Sequence, residues 1–364
     1  MEKRLADWQK IRRMCRSVLS LPAQNRLARS LRLDAVKTLV LFAVPTVDEC
    51  NGGAMSIASL AATSRKLLPE ATVLSVTLPG CPTAVRNDTF PNQESFLRFS
   101  LVCRLAKPEK LILHIPEIDA DALYGMLSAE ERAWMRTIPD VQINILNQNI
   151  LYMRPREAWS DLFKLTENIT QTTAHRRYTT QEVCSRYGIP THLFSTRMDR
   201  SGWPRVPFAE KQSQIVFSPD QNEFVPRVRA LVAEKLPDYT ITVVEKMKFR
   251  DYLELVARSR FVLTFGEGLD GYFNQAPNLG TVGLAVYNDA FFPSPAWRGL
   301  ANVYPSYPAL LERLADDVRR WELDEAAYYR LQREHLALKA VVYPPNGYED
   351  NLRRFYKGEY DFVP

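Results

Sequence analysis

The hydrophobic pattern of this chain alternates between short apolar runs and longer stretches with one apolar face. Short runs rich in Val, Ile, Leu and Phe are typical of buried strands, whereas apolar residues that recur every three or four positions are typical of helices. In the first half of the chain, the pattern predicts strands at 36–44, 72–77, 111–115, 141–146 and 189–194. It predicts helices at 54–68 and from 121 onward.

The second half of the chain restarts the same alternation. The predicted strands are 214–217, 240–244, 261–265 and 283–287, and the predicted helices are 224–232, 249–257, 307–321 and 324–341. A turn and helix cap are predicted at 218–222. Strands that alternate with helices form parallel sheets. We therefore predict an α/β protein with two doubly wound, Rossmann-like domains.

Composition places the boundaries between these domains. At 364 residues the chain is long enough for two domains of ordinary size. The segment 199–211 contains Gly202, Pro204 and Pro207, which predicts a linker. The predicted divisions are an N-terminal helical segment, a first domain, a second domain and a C-terminal segment, at 1–34, 35–205, 206–341 and 342–364.

Positive charge is concentrated at the N-terminus. Residues 1–37 hold ten Lys or Arg against three acids, in a chain whose formal net charge is +5. Six apolar residues share one face of a predicted helix there: Leu5, Trp8, Ile11, Cys15, Val18 and Leu19. Such a helix can lie on an anionic membrane. The alternative is a helix that packs on the first domain with its cations in water.

Other features indicate a cytoplasmic protein, with peripheral attachment to the inner face of the membrane if the N-terminal helix binds lipid. No apolar run approaches the roughly 18 residues that a spanning helix needs, and the N-terminus has no signal-peptide pattern. The five cysteines show no CxxC spacing. This predicts free thiols and argues against a zinc site.

The most informative stretch follows the predicted strand 261–265. Gly266-Glu267-Gly268 comes directly after it, and then Asp270-Gly271-Tyr272-Phe273-Asn274-Gln275. Ligands of open α/β sheets bind outside the carboxyl ends of the strands, where glycines let the backbone approach them closely. A carboxylate between two glycines can accept hydrogen bonds from sugar hydroxyls. The alternative is a tight turn with a capping acid.

This stretch resembles the motif of the retaining GT-B glycosyltransferases. That motif is a Glu, a second Glu with seven residues between them, then Ala, and a Gly four residues further on. Glu267, Ala276 and Gly280 fall in register, and Gly268 matches the Gly that often follows the first Glu. Gln275 stands in place of the second Glu.

The resemblance implies a GT-B fold, in which two Rossmann-like domains face a cleft and the last segment crosses back to the first domain. It places Glu267 on the hydroxyls of the donor sugar and Gln275 on the ribose of the nucleotide. Gln275 can still donate and accept hydrogen bonds there, although it carries no charge. The implied donor contacts also include Gly266, Gly268, Asp270, Gly271, Tyr272, Phe273 and Asn274. Tyr272 and Phe273 either pack on the sugar or fill the core.

Other candidates follow predicted strands. Gly52 and Gly53 open a helix whose amides can face phosphate, although a plain loop-to-helix junction is equally consistent with them. Lys246 and Lys248 can stabilise a departing diphosphate, or they form an exposed cationic turn. His175 and Arg176 are candidates for an anionic acceptor, and a solvated basic loop is the alternative.

His114 ends the predicted strand 111–115. The GT-B resemblance implies a His near the donor sugar at such a strand end, where it orients the sugar or acts as a base in an inverting variant. The alternative is a buried histidine with satisfied nitrogens. Asp119-Ala120-Asp121 spells the DxD metal motif of GT-A enzymes, but the same aspartates suit helix caps. We expect no metal and no cofactor, because the nucleotide-sugar is a substrate.

The predicted function is transfer of a sugar from a nucleotide-sugar to a hydroxyl acceptor. The acceptor is a glycan, a lipid-linked molecule or another hydroxyl compound, in polysaccharide or glycoconjugate synthesis. Retention follows from the motif, and Gln275 leaves inversion open. The alternatives are a nucleotide-sugar 2-epimerase and a catalytically silent binding or scaffold protein. Nucleic acid is not required, since no basic groove is interleaved with aromatics.

Overall fold

The computed structural model describes residues 22–45, 50–81, 89–198, 200–344 and 346–364. The apolar face predicted for the N-terminal basic helix falls within 1–21, outside the described residues. The described chain divides into two compact units, with boundaries after Met198 and before Asn346. The residues from Asn346 onward group with the first unit.

The first unit is built on a parallel sheet of seven strands. The strands are β1 (Thr38–Val44), β2 (Thr72–Thr77), β3 (Phe96–Leu97), β4 (Lys110–Pro116), β5 (Asp140–Asn147), β6 (Ile169–Thr173) and β7 (Thr191–Leu193). Their order is β3-β2-β1-β4-β5-β6-β7. The chain winds outward from β1 in both directions, so the topological switch lies between β1 and β4.

The second unit is built on a parallel sheet of five strands. These are β8 (Gln212–Phe217), β9 (Thr240–Val243), β10 (Ser259–Leu263), β11 (Val282–Val286) and β12 (Val303–Tyr304). Their order is β12-β11-β10-β8-β9. The topological switch of this sheet therefore lies between β8 and β10.

Helices connect the strands of both units. The first described helical stretch, α1, covers 22–30. The others are α2 (Gly52–Leu67), α3 (Phe99–Leu105), α4 (Leu123–Met126), α5 (Ala129–Arg136), α6 (Gln181–Tyr187), α7 (Val225–Lys235), α8 (Phe249–Arg258), α9 (Gly271–Gln275), α10 (Tyr307–Leu323), α11 (Glu325–Val342) and α12 (Gly347–Tyr356). Within the ranges that the structure describes, none of these helices is both long and apolar enough to cross a lipid bilayer.

The predicted fold class is confirmed, because both sheets are parallel and doubly wound. All nine predicted strands overlap an observed strand, whereas β3, β6 and β12 were missed. β6 reads Ile-Thr-Gln-Thr-Thr, yet it is buried along its length. Its polar side chains are satisfied by the neighbouring strands: Asn144 Nδ2 donates to Thr172 Oγ1 at 2.9 Å and Gln171 Nε2 to Thr191 Oγ1 at 2.7 Å. Burial of polar residues requires such partners, and an apolar pattern cannot reveal them.

Candidate functional site

The loops that follow β8 and β10 meet at the topological switch of the second sheet. The amide of Phe265, after β10, donates to Ser218 Oγ, after β8, at 2.9 Å. The amide of Ser218 in turn donates to Leu263 O at 3.0 Å. Because the crevice at a switch point is where open α/β sheets bind ligands, this edge is the candidate site of the second unit.

Close contacts explain two glycines of this edge. A Cβ atom on Gly266 would lie 2.9 Å from the carboxylate of Asp220. Gly268 has φ +80°, and a Cβ atom there would lie 2.6 Å from the carbonyl oxygen of Val286. A side chain at either position would displace its neighbour. The backbone around the half-buried Glu267 therefore keeps a shape that depends on glycine.

Asp270 caps α9 at the same edge. Its Oδ1 accepts from the amide of Phe273 at 3.1 Å, and its other carboxylate oxygen accepts from the hydroxyl of Thr264. Burial raises the pKa of Asp270 to about 6, and the negative charge of Asp220 adds to this, against the opposing effect of the hydrogen bonds. The carboxyl group is thus held close to its titration range at neutral pH.

A second carboxylate at this edge, that of Asp220, can accept a further hydrogen bond. Asp220 Oδ2 is buried and has no hydrogen-bond partner among the described residues. A buried acceptor without a partner is costly, so a donor from a ligand hydroxyl, an amine or water fits this position. The sequence indicated only a turn at 218–222. Asp220 was missed as a site residue because its proximity to Gly266 depends on the pairing of β8 with β10.

Tyr307 and Asn222 hold the loop that follows β10 through hydrogen bonds to Phe265 O. Asn222 Nδ2 donates to Phe265 O at 3.2 Å and to Tyr307 Oη at 2.8 Å, and the Tyr307 hydroxyl donates to Phe265 O at 3.2 Å. Burial raises the pKa of Tyr307 to about 12, with a further contribution from the charges of Asp220 and Asp270. Tyr307 therefore stays protonated and acts as a donor.

The predicted donor-binding residues on α9 have different surroundings in the structure. Gly271 is exposed, and a Cβ atom on it would lie 3.1 Å from Gln275 Nε2, so the Gln275 amide lies beside the start of the helix. Asn274 Nδ2 donates to Leu269 O at 3.2 Å and closes the loop. Tyr272 is half-buried, with its ring centroid 5.6 Å from that of Tyr252.

The structure corrects the donor contact predicted for Phe273. Its side chain has no exposed surface, and its ring stacks on His335 with centroids 4.2 Å apart. Trp297 and Phe292 close around it at 6.2 and 6.0 Å. Phe273 fills the core, the second of the two interpretations given for it, because a ring enclosed in this way has no surface for a ligand.

Lys246 and Lys248 lie beyond β9, the edge strand beside β8. Both are exposed, and Lys246 adopts φ 49°, in the left-handed region. Their placement at the carboxyl edge agrees with the predicted position. Within the described chain, no hydrogen bond or ion pair joins them to Asp220, Gly266 or Asp270.

In the first unit, the remaining candidates follow different strands. α2 begins at Gly52 after a turn capped by Asn51, whose Oδ1 accepts from Ala54 N at 2.8 Å. A Cβ atom on Gly53 would lie 2.7 Å from Gln148 Oε1, in the loop after β5. His175 is half-buried and Arg176 is exposed, and both follow β6. The two pairs thus lie on the same edge of the sheet, separated by β4 and β5.

His114 lies in the core of the first unit. Its ring has no exposed surface and stacks on Phe42 with centroids 4.3 Å apart. Asn144 Nδ2 donates to Nδ1 at 3.0 Å, which leaves Nε2 to donate to Tyr356 Oη at 3.2 Å. Burial lowers the pKa of His114 to about 3. The geometry favours the second interpretation given for it, a neutral core histidine with both nitrogens satisfied.

The two aspartates of the DxD triplet follow β4. Burial raises the pKa of Asp119 to about 6, and the charge of Asp121 adds to it. Asp121 Oδ2 lies 3.9 Å from Arg154 Nε. Neither aspartate caps α4, whose N-cap is Ala122. Across the described ranges, no group of three or more His, Cys, Asp or Glu side chains is arranged to hold a metal ion.

Comparison with known proteins gives a likeness of fold. No protein-family model and no curated protein matches the sequence. Among solved structures, HepE from Anabaena in complex with UDP and glucose is 9% identical, with TM-score 0.59 over 88% of this chain and 100% of that chain. Sucrose-phosphate synthase from Thermosynechococcus elongatus is 10% identical, with TM-score 0.56 over 88% and 99%. A glycosyltransferase from Rickettsia africae ESF-5 is 10% identical, with TM-score 0.55 over 89% and 98%. Such identities support the fold alone, and that fold is the two-domain, Rossmann-like arrangement predicted above.

Proposed function

We propose that this protein is a glycosyltransferase that moves a sugar from a nucleotide-sugar donor to a hydroxyl acceptor. The observation that carries the proposal is the edge between β8 and β10, where a buried carboxylate oxygen of Asp220 has no partner among the described residues and the carboxylate lies against Gly266, in a loop whose contacts require glycine at 266 and 268. Sugar and ribose hydroxyls are donors that suit such acceptors. Likeness of fold to a glycosyltransferase, and to a protein solved in complex with UDP and glucose, supports the same conclusion.

In this proposal the second unit holds the donor. Glu267 and Asp220 accept hydrogen bonds from the sugar hydroxyls, and Gln275 binds the ribose. Lys246 and Lys248 supply positive charge for the diphosphate. The acceptor, a glycan or a lipid-linked hydroxyl compound, lies against the first unit, where Gly52, Gly53, His175 and Arg176 are the candidates.

The reaction exchanges one C–O bond for another. The bond between the anomeric carbon and the diphosphate oxygen breaks with its electron pair on the diphosphate, while the acceptor oxygen bonds to the anomeric carbon and gives its proton to the departing diphosphate. Because a diphosphate leaves as a stable anion, positive charge and amide donors can stabilise it without an obligatory metal. We propose retention at the anomeric carbon from the motif, in a cytoplasmic enzyme of polysaccharide or glycoconjugate synthesis.

One observation favours a second function, a catalytically silent nucleotide-binding protein. Asp220 and Asp270 are close enough for the charge of one to raise the pKa of the other, and within the described chain neither forms an ion pair with a cation. An unbalanced pair of acids is a poor environment for a leaving diphosphate. This alternative predicts nucleotide binding without turnover.

The first experiment is thermal melting with UDP, GDP, dTDP, ADP or CMP, each with and without Mg²⁺. A ligand at about 100 times its Kd adds roughly 2.7 kcal/mol to the free energy of unfolding. We expect one nucleotide to raise the Tm without Mg²⁺, and Asp220→Asn and Glu267→Ala to lose this shift. Glu334→Gln, an exposed acid on α11, is the matched control.

The outcomes separate the functions. A metal-free shift followed by sugar transfer supports the glycosyltransferase, and a shift without any turnover supports the silent binding protein. A shift that depends on Mg²⁺ would redirect attention to Asp119 and Asp121. If no nucleotide shifts the Tm, the proposed function is wrong.

A further inference from the structure

The helical segment that carries the motif is held at its carboxyl end by cations. α9 continues into a 3-10 turn, Ala276–Leu279. Lys339 Nζ donates to Asn274 O at 2.9 Å. Arg205 Nε donates to Asn278 O at 3.1 Å. Positive groups at carbonyls in the last turns of a helical segment are favourable, since those carbonyls lack partners within the segment.

Arginines complete this attachment. Arg205 Nη2 donates to Pro277 O at 3.3 Å, and Arg200 Nη1 donates to the side-chain oxygen of Asn278. Asn278 Nδ2 donates back to Asn274 O at 3.2 Å. Both arginines lie just after the unit boundary at Met198. The chain that leaves the first unit is therefore fastened directly to the motif segment.

α11 contacts the same segment twice. His335 stacks on Phe273 with ring centroids 4.2 Å apart, and Lys339, one turn later, reaches Asn274 O. Residues four apart share one face of a helix. α11 thus fixes both the side chain and the backbone of α9, and the ring of His335 is itself fully buried.

We propose that Lys339, together with Arg200 and Arg205, positions the donor-binding loop 266–271 for a nucleoside diphosphate sugar. The inference rests on the proposed function of that loop. Asp270 and Gly271 are carried at the start of α9, so movement of its carboxyl end moves them. Small displacements of positioning groups are costly for binding and transfer. None of the three cations touches the ligand in this proposal.

The protonation of Lys339 provides a specific test. Burial, with the nearby charge of Arg200, lowers the pKa of Lys339 to about 8. The charge of Lys339 also acts on His335 on the same helix, whose pKa burial lowers to about 3, so this histidine stays neutral. Arg205 remains a cation throughout, as guanidinium groups do. Above about pH 8, the charge-assisted bond to Asn274 O becomes a neutral one.

The experiment measures UDP affinity by calorimetry and backbone hydrogen exchange over 266–279 without ligand. The variants are Lys339→Met, Lys339→Arg and the control Arg333→Met, an exposed cation on α11. We expect Lys339→Met to weaken UDP binding about tenfold and to speed exchange over 266–279, while Arg333→Met changes neither. From pH 7 to 9.5, UDP affinity should fall about fivefold in the native protein and stay level in Lys339→Arg.

Unchanged exchange over 266–279 in Lys339→Met, or equal pH profiles for the native protein and Lys339→Arg, would overturn the positioning role. If the native protein binds no UDP at either pH, the proposed donor is wrong, and the exchange measurement still decides the role of Lys339. Should Lys339→Met fail to fold, the double variant Arg200→Met/Arg205→Met, changed only at exposed side chains, answers the same question by exchange.

Discussion

Gly266 faces Asp220 so closely that a Cβ atom on the glycine would lie 2.9 Å from all three atoms of the carboxylate group. The two residues follow strands on opposite sides of the topological switch of the second sheet. Their contact places an acidic group against bare backbone at the switch point, where open α/β sheets have their ligand-binding crevice.

Gly266→Ala should weaken nucleotide binding more than it lowers stability. The added methyl group displaces the Asp220 side chain, which can rotate away at a cost of about 1–2 kcal/mol, typical of mild overpacking. Gly299→Ala is the control, because a Cβ atom there has nothing within 4 Å. Melting and calorimetry on both variants check this. Equal affinity of Gly266→Ala and the native protein would exclude the crevice as the donor site.

Asp270→Asn should stabilise the protein at pH 7 and impair donor binding. Folding raises the pKa of Asp270 to about 6, from its ordinary value of 3.8. Its ionised form therefore destabilises the folded state above pH 6, by at most about 3 kcal/mol. The native protein regains this free energy of unfolding as the pH falls from 6 towards 4, whereas Asp270→Asn has none to regain. The asparagine can still cap α9. A Tm difference that is independent of pH would contradict the shift.

His114→Phe should lower stability near neutral pH and change its acid dependence. The replacement keeps the stacking on Phe42 but removes one hydrogen bond each from Asn144 and Tyr356, which keep Thr172 and Ser64 as partners, at about 1–3 kcal/mol in total. The folded pKa of about 3 lies below the ordinary 6.5. Stability from neutral His114 is therefore complete above pH 6.5 and lost as the pH falls towards 3.

The Tm difference between the native protein and His114→Phe should accordingly shrink on acidification. If sugar transfer is detected, its rate at pH 7.5 should be retained by the folded variant. A large loss of turnover at unchanged Tm would instead restore the catalytic interpretation of His114.

Lys211→Met should alter stability at alkaline pH. Lys211 is buried and donates to the carbonyl of Ala257 and, at 3.1 Å, to Thr281 Oγ1. Burial, with the charge of Arg205, lowers the pKa of Lys211 to about 8, from 10.5. The ionised amine thus opposes folding below pH 8, and this penalty, roughly 3 kcal/mol at most, disappears as the pH rises to 10.5.

Chemical unfolding between pH 7.5 and 10.5 checks this. We expect the native protein to gain stability relative to Lys211→Met over that interval, whereas the exposed Lys66→Met should track the native protein. Parallel profiles for the native protein and Lys211→Met would show that the amine is not penalised by burial.

The apolar strands and the fold class of this protein follow from the local sequence pattern. Apolar runs such as 72–77 and 111–115 identify strands that are buried on both faces, because continuous burial leaves no polar alternation. Their regular exchange with amphipathic helices determines a parallel, doubly wound architecture. The glycines at 266 and 268 likewise mark a close backbone approach, but the neighbours found there are the protein's own Asp220 and Val286, so the approach to a ligand stays a prediction.

Tertiary structure decided the rest. β6 is polar and buried because β5 and β7 supply hydrogen bonds to its side chains. His114 lies in the core because α12 brings Tyr356 to its ring, and Phe273 because α11 brings His335. Asp220 joins the candidate site only through the pairing of β8 with β10. A local pattern shows whether a side chain can be buried or bonded, but the partner that buries or bonds it comes from a distant part of the chain.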